Sequence, residues 1–154
     1  MSGGHDATYA RDFRALVRGW GLTHFRAEEL LYPGAANGEP GHAAFNLNTL
    51  PPRALWPNIE AAAKAADAAR ALLRAPLRVL SAFRSEAYNA AVGGKPGSLH
   101  RGFRALDLAP PERGDVGRLY GLFWILRKKG MPGCRGIGRY AAFIHIDNGP
   151  KRDW

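Results

Sequence analysis

Four ionisable side chains stand at spacings that could hold a metal ion and put it to work: His100 and Asp107, seven positions apart, and His145 and Asp147, two apart. A catalytic zinc takes three protein ligands from His, Asp or Glu, keeps a fourth position open for water, and can be reached by side chains on neighbouring strands of one sheet. His100 closes a glycine-rich stretch, residues 93–97, and Asp107 falls on the strand expected next, so the turn between them can bring both side chains to one point. His145 would arrive from a partner strand. In Phe143-Ile144-His145-Ile146-Asp147, alternation puts Phe143, His145 and Asp147 on one face and the two isoleucines on the other. Asp147 can then either orient a ligand or act on bound water. Taken singly, a histidine is more often a hydrogen-bonded core or surface residue than a ligand; it is the convergence of three groups that points to a metal.

The elements that must position these groups follow from periodicity and punctuation. Asp6 is placed to cap a helix with Tyr9, Phe13, Leu16, Val17 and Trp20 on one face and Gly21 as its stop. Thr23 can cap a short helix around Glu28 and Glu29, ended by Pro33 and Gly34. A Gly/Pro/Asn-rich loop runs from there to Pro52. Asn58 opens an alanine-rich helix to about Ala75, with Ile59, Ala62, Ala63, Ala66, Ala69, Leu72 and Leu73 at helical spacing. Residues 77–83 read as a buried strand, followed by a short helix through Tyr88 to Val92. Residues 103–108 read as a strand, 115–129 as a helix stopped by Gly130, and 136–140 and 143–147 as two short strands. Strands and helices do not alternate cleanly. The expected fold is α+β: a small antiparallel sheet with helices mainly on one face, in a single domain over 1–154 whose residues 1–47 form a helical and loop extension packed on it.

Bulk properties narrow the function classes. A chain of 154 residues, 46% hydrophobic, can build one real core. Its formal charge of +9, from 22 Lys and Arg against 13 Asp and Glu, favours polyanionic surroundings, yet no arginine-rich run or RNA-binding signature points to nucleic acid. Cys134 is the sole cysteine, which excludes an internal disulfide and a cysteine-rich zinc module, and it reads as a small buried apolar residue. Neither a signal peptide nor a run of about 18 apolar residues is visible, so synthesis as a soluble cytoplasmic product without membrane insertion is expected. A monomer is expected. His24 and His42 read as surface or hydrogen-bonded histidines, Trp20, Trp56 and Trp124 as core, and Trp154 as packing the terminal turn.

The residues also carry a resemblance. Ser81-Ala82-Phe83-Arg84-Ser85, Tyr88-Asn89, Val92-Gly93-Gly94, Ser98-x-His100, Ala105-x-Asp107 and Phe143-Ile144-His145-Ile146-Asp147, in that order, resemble the zinc D-alanyl-D-alanine carboxypeptidase family. That family includes phage endolysins cutting L-alanyl-D-glutamate bonds and shares its fold with lysostaphin-type peptidases and hedgehog signalling domains. The match covers roughly residues 48–154. It implies Zn2+ on His100, Asp107 and His145, and an Arg84 that holds substrate and polarises its carbonyl; the alternative for Arg84 is a structural residue capping the strand end or pairing with Glu86. The implied activity is hydrolysis of a peptide bond in peptidoglycan stem peptides or cross-links, at the cell wall, with the positive charge keeping the protein near an anionic surface.

Two departures from the family pattern bear on this. Phe103 occupies the glycine position of the His-x-x-Gly-x-Ala-x-Asp motif, where glycine usually marks positive φ or a close approach. Ala142 stands where many relatives carry a Glu or Asp base, three residues before the last ligand. Asp147 is then the nearest acidic candidate for proton uptake, and equally a candidate partner for His145 or for the Asn148-Gly149 turn. A catalytically silent, metal-stabilised module that binds cell-wall peptides is the competing reading.

Overall fold

Helices and strands of the computed structural model, which describes residues 3–154, divide the sheet into an apolar face and a chemical one. The strands are β1 (Arg78–Ser81), β2 (Ala105–Ala109), β3 (Gly136–Arg139), β4 (Ile144–Asp147) and β5 (Arg152–Asp153), in the spatial order β1-β2-β4-β3-β5. Pairing is antiparallel except at the β3 edge, where β5 runs parallel. The sheet expected to be antiparallel thus carries one parallel edge; a two-residue strand is too short to leave a periodic signal in sequence.

Leu106, Leu108, Ile137, Ile144 and Ile146 are fully buried on the face covered by α3 (Glu60–Leu73) and α5 (Val116–Lys128). The alanines of α3 do what their size allows: Ala62, Ala63, Ala65, Ala66 and Ala69 are all fully buried, and the backbone at Gly133 approaches so closely that a Cβ there would collide with the Ala61 carbonyl. Asn58 does not open this helix; a 3-10 turn, Arg53–Ile59, comes first, and the Asn58 amide donates to the Gly102 carbonyl at 2.9 Å. A second 3-10 turn, Arg113–Asp115, likewise leads into α5, and Gly130 at φ 86° ends it.

The N-terminal helix α1 (Gly3–Arg18) begins three residues ahead of the cap expected at Asp6. Phe13 and Val17 bury its apolar face, with Trp20 buried just beyond its end and the Phe13 ring 5.2 Å from Trp56 and 6.3 Å from Phe103. The short helix α2 (Ala27–Leu30) is not capped by Thr23. Glu29 accepts from the Arg26 N–H at 2.7 Å instead, while Thr23 donates to Asp67 of α3. A further short helix, α4 (Glu86–Ala91), starts at Ser85, whose hydroxyl accepts from the Tyr88 N–H at 3.2 Å, a side-chain N-cap. No helix among the described residues is long and apolar enough to cross a membrane.

Candidate metal centre

Register places the chemistry. On the face opposite the helices, Asp107 of β2 stands directly across from His145 of β4, and Gly138 of β3 flanks His145 on its other side. On β1 the pairing slips between Val79 and Ser81: Val79 stands opposite Leu108 on the helix side, whereas Ser81 stands opposite Asp107 on the site side. That irregularity turns Ser81 toward the site although it is only two residues from a core valine. His100 comes from a 3-10 turn, Leu99–Gly102, which Phe103 closes in the left-handed region at φ 55°. The positive φ that glycine would supply is therefore retained with a phenylalanine, and the ring is fully buried against Phe13 and Phe83.

His100, Asp107 and His145 converge, each buried, and could hold a metal ion through one atom apiece. His100 Nε2 lies 3.1 Å from Asp107 Oδ1 and 3.2 Å from His145 Nδ1, and His145 Nδ1 lies 2.8 Å from the same carboxylate oxygen. The far side of each imidazole is also engaged. His100 Nδ1 donates to the Ala82 carbonyl at 2.7 Å, which leaves Nε2 as the free lone pair. His145 Nε2 meets Asp147 Oδ2 at 2.9 Å, which turns Nδ1 toward the shared point. This is the carboxylate or carbonyl support behind a ligand that fixes tautomer and ring orientation at metal sites.

The three groups titrate in different directions. Burial pushes His100 below the ordinary histidine range, outweighing the opposing pull of Asp107. Burial acts on His145 the same way, but hydrogen bonds to Asp107 and Asp147 win and raise it. Asp107 is desolvated too, yet the two histidines beside it hold its carboxyl well below the usual carboxylate range.

Arg84 lies at the edge of this cluster, its Nη2 donating to Asp107 Oδ2 at 2.8 Å and its Nε to Ser81 Oγ at 2.8 Å. Glu86 is paired with Arg101 instead, so the structural alternative of an Arg84–Glu86 pair is not what the fold contains. Asp147 stands behind His145 rather than over the ligand atoms. Its carboxylate is fully buried and accepts from the Gly149 N–H and from both terminal nitrogens of Arg152.

His100, Asp107 and His145 line a cleft of about 900 Å³. One wall is the loop of Gly93, Gly94, Lys95 and Gly97; the other is aromatic. Tyr140 and Phe143 stack there at 4.5 Å, and the Trp154 indole donates to the Tyr140 hydroxyl at 3.0 Å. Trp154 is 48% exposed and faces His145 with ring centroids 5.3 Å apart, so it belongs to the cleft wall and not only to the terminal turn. Trp20 and Trp56 are buried, and Trp124 is partly buried against the same core. Ser81, Arg152 and Trp154 are the site residues that sequence reasoning missed. Arg152 and Trp154 fall in the short stretch after Pro150, which has no period to read.

His24 and His42 are exposed and lie outside the cluster. Burial raises the Cys134 thiol to about 11, as suits an inert core sulfur. Compared with the curated proteins and with the solved structures, the chain gives no match. The family model described as peptidase M15 matches residues 24–147, a span that contains His100, Asp107, His145 and Arg84. That match covers well over half of the sequence and ends on Asp147, so the chain belongs to the peptidase M15 family.

Proposed function

We propose that the protein is a zinc peptidase that hydrolyses a peptide bond in peptidoglycan stem peptides or cross-links. The observation that carries this reading is the ligand triangle at the floor of the cleft. Tetrahedral zinc with bonds of about 2.0–2.1 Å needs ligand atoms roughly 3.3 Å apart. The three edges here are 2.8, 3.1 and 3.2 Å, so the donors need spread only slightly to accept the ion. Two imidazole nitrogens and one carboxylate oxygen suit zinc among the common divalent ions. A zinc ion in this place would supply Lewis acidity toward a carbonyl and make water nucleophilic at neutral pH.

The chain's own residues then divide the work. Arg84 keeps Asp107 in place with one terminal nitrogen. The other, Nη1, has no partner among the described residues, and Arg84 lines the cleft, which makes this nitrogen available to a substrate carbonyl or carboxylate. Asp147 orients His145, because every acceptor direction of its carboxylate is taken by His145, Arg152 and Gly149. The extended cleft, with a cationic glycine-rich loop on one side and stacked aromatics on the other, suits a peptide lying across the floor.

A second reading is favoured by one specific feature. Position 142 is an alanine, Asp147 is turned away, and Asp153, the remaining carboxylate of the cleft lining, is ion-paired with Arg127 at 3.3 Å. A site without a free base fits a metal-stabilised module that binds wall peptides and cuts them slowly or not at all. Digestion of purified peptidoglycan with and without chelator, followed by mass spectrometry of the fragments, separates the two. New amino or carboxyl termini that vanish with chelator support the peptidase; one bound metal per chain with no cleavage of any stem peptide leaves the binding module.

A further inference from the structure

We infer that Arg152 is a positioning residue of the metal centre, acting on His145 through Asp147. The inference rests on His145 being a metal ligand. Asp147 is a carboxylate with no solvent exposure, a state that is strongly unfavourable unless it is paired and hydrogen-bonded. Arg152 supplies both, as a two-pronged fork: Nη2 to Oδ2 at 2.9 Å and Nη1 to Oδ1 at 3.1 Å. The Gly149 N–H adds a bond to Oδ1 at 2.9 Å, and His145 Nε2 completes Oδ2 at 2.9 Å. The carboxylate is thus fixed in plane and rotation, and His145 has one tautomer available for offering a lone pair at Nδ1.

Arg152 is itself held by a built element. Its N–H donates to the Arg135 carbonyl at 3.2 Å, and its carbonyl accepts from Arg127 at 3.2 Å; its guanidinium lies 4.7 Å over the Trp154 ring, which in turn faces His145. The space for the fork is reserved on the neighbouring strand, because a Cβ at Gly136 would come within 2.6 Å of Asp147 Oδ2. The parallel strand β5 is therefore the outer layer of the metal site. Without the guanidinium, the buried Asp147 carboxylate loses two of its four hydrogen bonds, both of the fork, and is free to rotate away from His145 Nε2. That rotation frees His145 to place its proton on Nδ1, where the lone pair is needed. A lysine keeps the charge but cannot reproduce the fork.

The test is cobalt binding, followed by its visible absorption, in the full chain, so that it reads the site without any substrate. Removing an outer hydrogen-bonding partner of a ligand commonly costs about 10–100-fold in metal affinity. Arg152→Ala should fall in that range, with Arg152→Lys between it and the parent and Lys151→Ala unchanged. In an Asp147→Ala background the loss of Arg152 should cost nothing more, an outcome that a merely structural role of β5 does not produce. Arg152→Gln, which keeps the aliphatic stem over Trp154, serves if the alanine variant fails to fold, and should show the same dependence on Asp147. Parent-like affinity and spectrum in Arg152→Ala, or full additivity with Asp147→Ala, overturns the inference. Failure of the parent chain to bind one cobalt overturns the metal reading itself and is seen before any variant is made.

Discussion

As a proposed metal ligand, His145 faces a conflict between proton and metal. Its Nδ1 and Nε2 both point at carboxylate oxygens, of Asp107 and Asp147, and this raises it above the ordinary histidine value of about 6.5 despite its burial. A ligand must be deprotonated, so a metal entering near neutral pH displaces that proton. The sign follows: below the raised His145 value, affinity climbs as pH rises, because the proton that the metal must displace is progressively lost. In the same interval the metal-free protein loses the stability that the His145 pairs contribute, which is fully present below the unfolded histidine value and disappears above the folded one. Titration calorimetry at pH ~6, below the range where a metal-bound water ionises, in buffers of different ionisation enthalpy should show proton release on binding. Absence of proton release at pH ~6 would contradict this placement of the proton. Phe103 carries a different kind of conflict. Its left-handed backbone costs a phenylalanine about 1–2 kcal/mol, while its buried ring is worth several, since truncating a core Phe costs about 3–5 kcal/mol. Phe103→Gly should therefore relieve the strain and still destabilise, by about 2–4 kcal/mol in urea unfolding. A stabilised variant would mean that the strain dominates.

At the scale of elements, β3 is the strand whose role is easiest to overlook, because its contribution to the site is an absence of side chains. Gly136 stands opposite Asp147 and Gly138 opposite His145. A Cβ at Gly136 would press on the buried, fully bonded Asp147 carboxylate; one at Gly138 would come within 2.6 Å of Trp154, a half-exposed ring that can yield. Overpacking costs about 1–3 kcal/mol where neighbours cannot move. Gly136→Ala should sit at the upper end and Gly138→Ala near zero, a ranking that denaturant midpoints will check; the reverse order would show that Trp154 is the stiffer neighbour. These glycines also mark how far the sequence could be read. Alternation in residues 143–147 was enough to separate His145 and Asp147 from the two core isoleucines, and the apolar periodicity of α3 and α5 was enough for an α+β layer arrangement. What escaped has no local pattern. The β1 irregularity that turns Ser81 to the site, the parallel docking of β5 and the pairing of Arg152 with Asp147 arise between segments far apart or too short to show a period. The same holds at the helix starts, where tertiary partners recruit Asn58 and Thr23 away from the capping roles their types suggest.

For the whole molecule the question is whether the metal holds the fold together or only completes it. The main apolar cluster lies on the helix side of the sheet and joins α1, α3 and α5 to Leu106, Leu108, Ile137, Ile144 and Ile146 without using any ligand residue. That core should stand without metal. The proposed ligands, by contrast, come from the turn before β2 and from the paired strands β2 and β4, so an ion would add a further tie across the sheet's open face. A ligand that binds only the folded state adds about 2.7 kcal/mol at a free concentration 100-fold above its Kd. In a chain of 154 residues each kcal/mol moves the midpoint by about 2–4 °C. Chelator should therefore lower Tm by about 5–10 °C while leaving the far-UV circular dichroism of the folded protein intact. His100→Ala and His145→Ala should unfold at one temperature with or without added metal. Collapse of helical signal on chelation at 25 °C would instead make the ion a structural keystone, and an unchanged parent Tm would deny it a place in the folded protein.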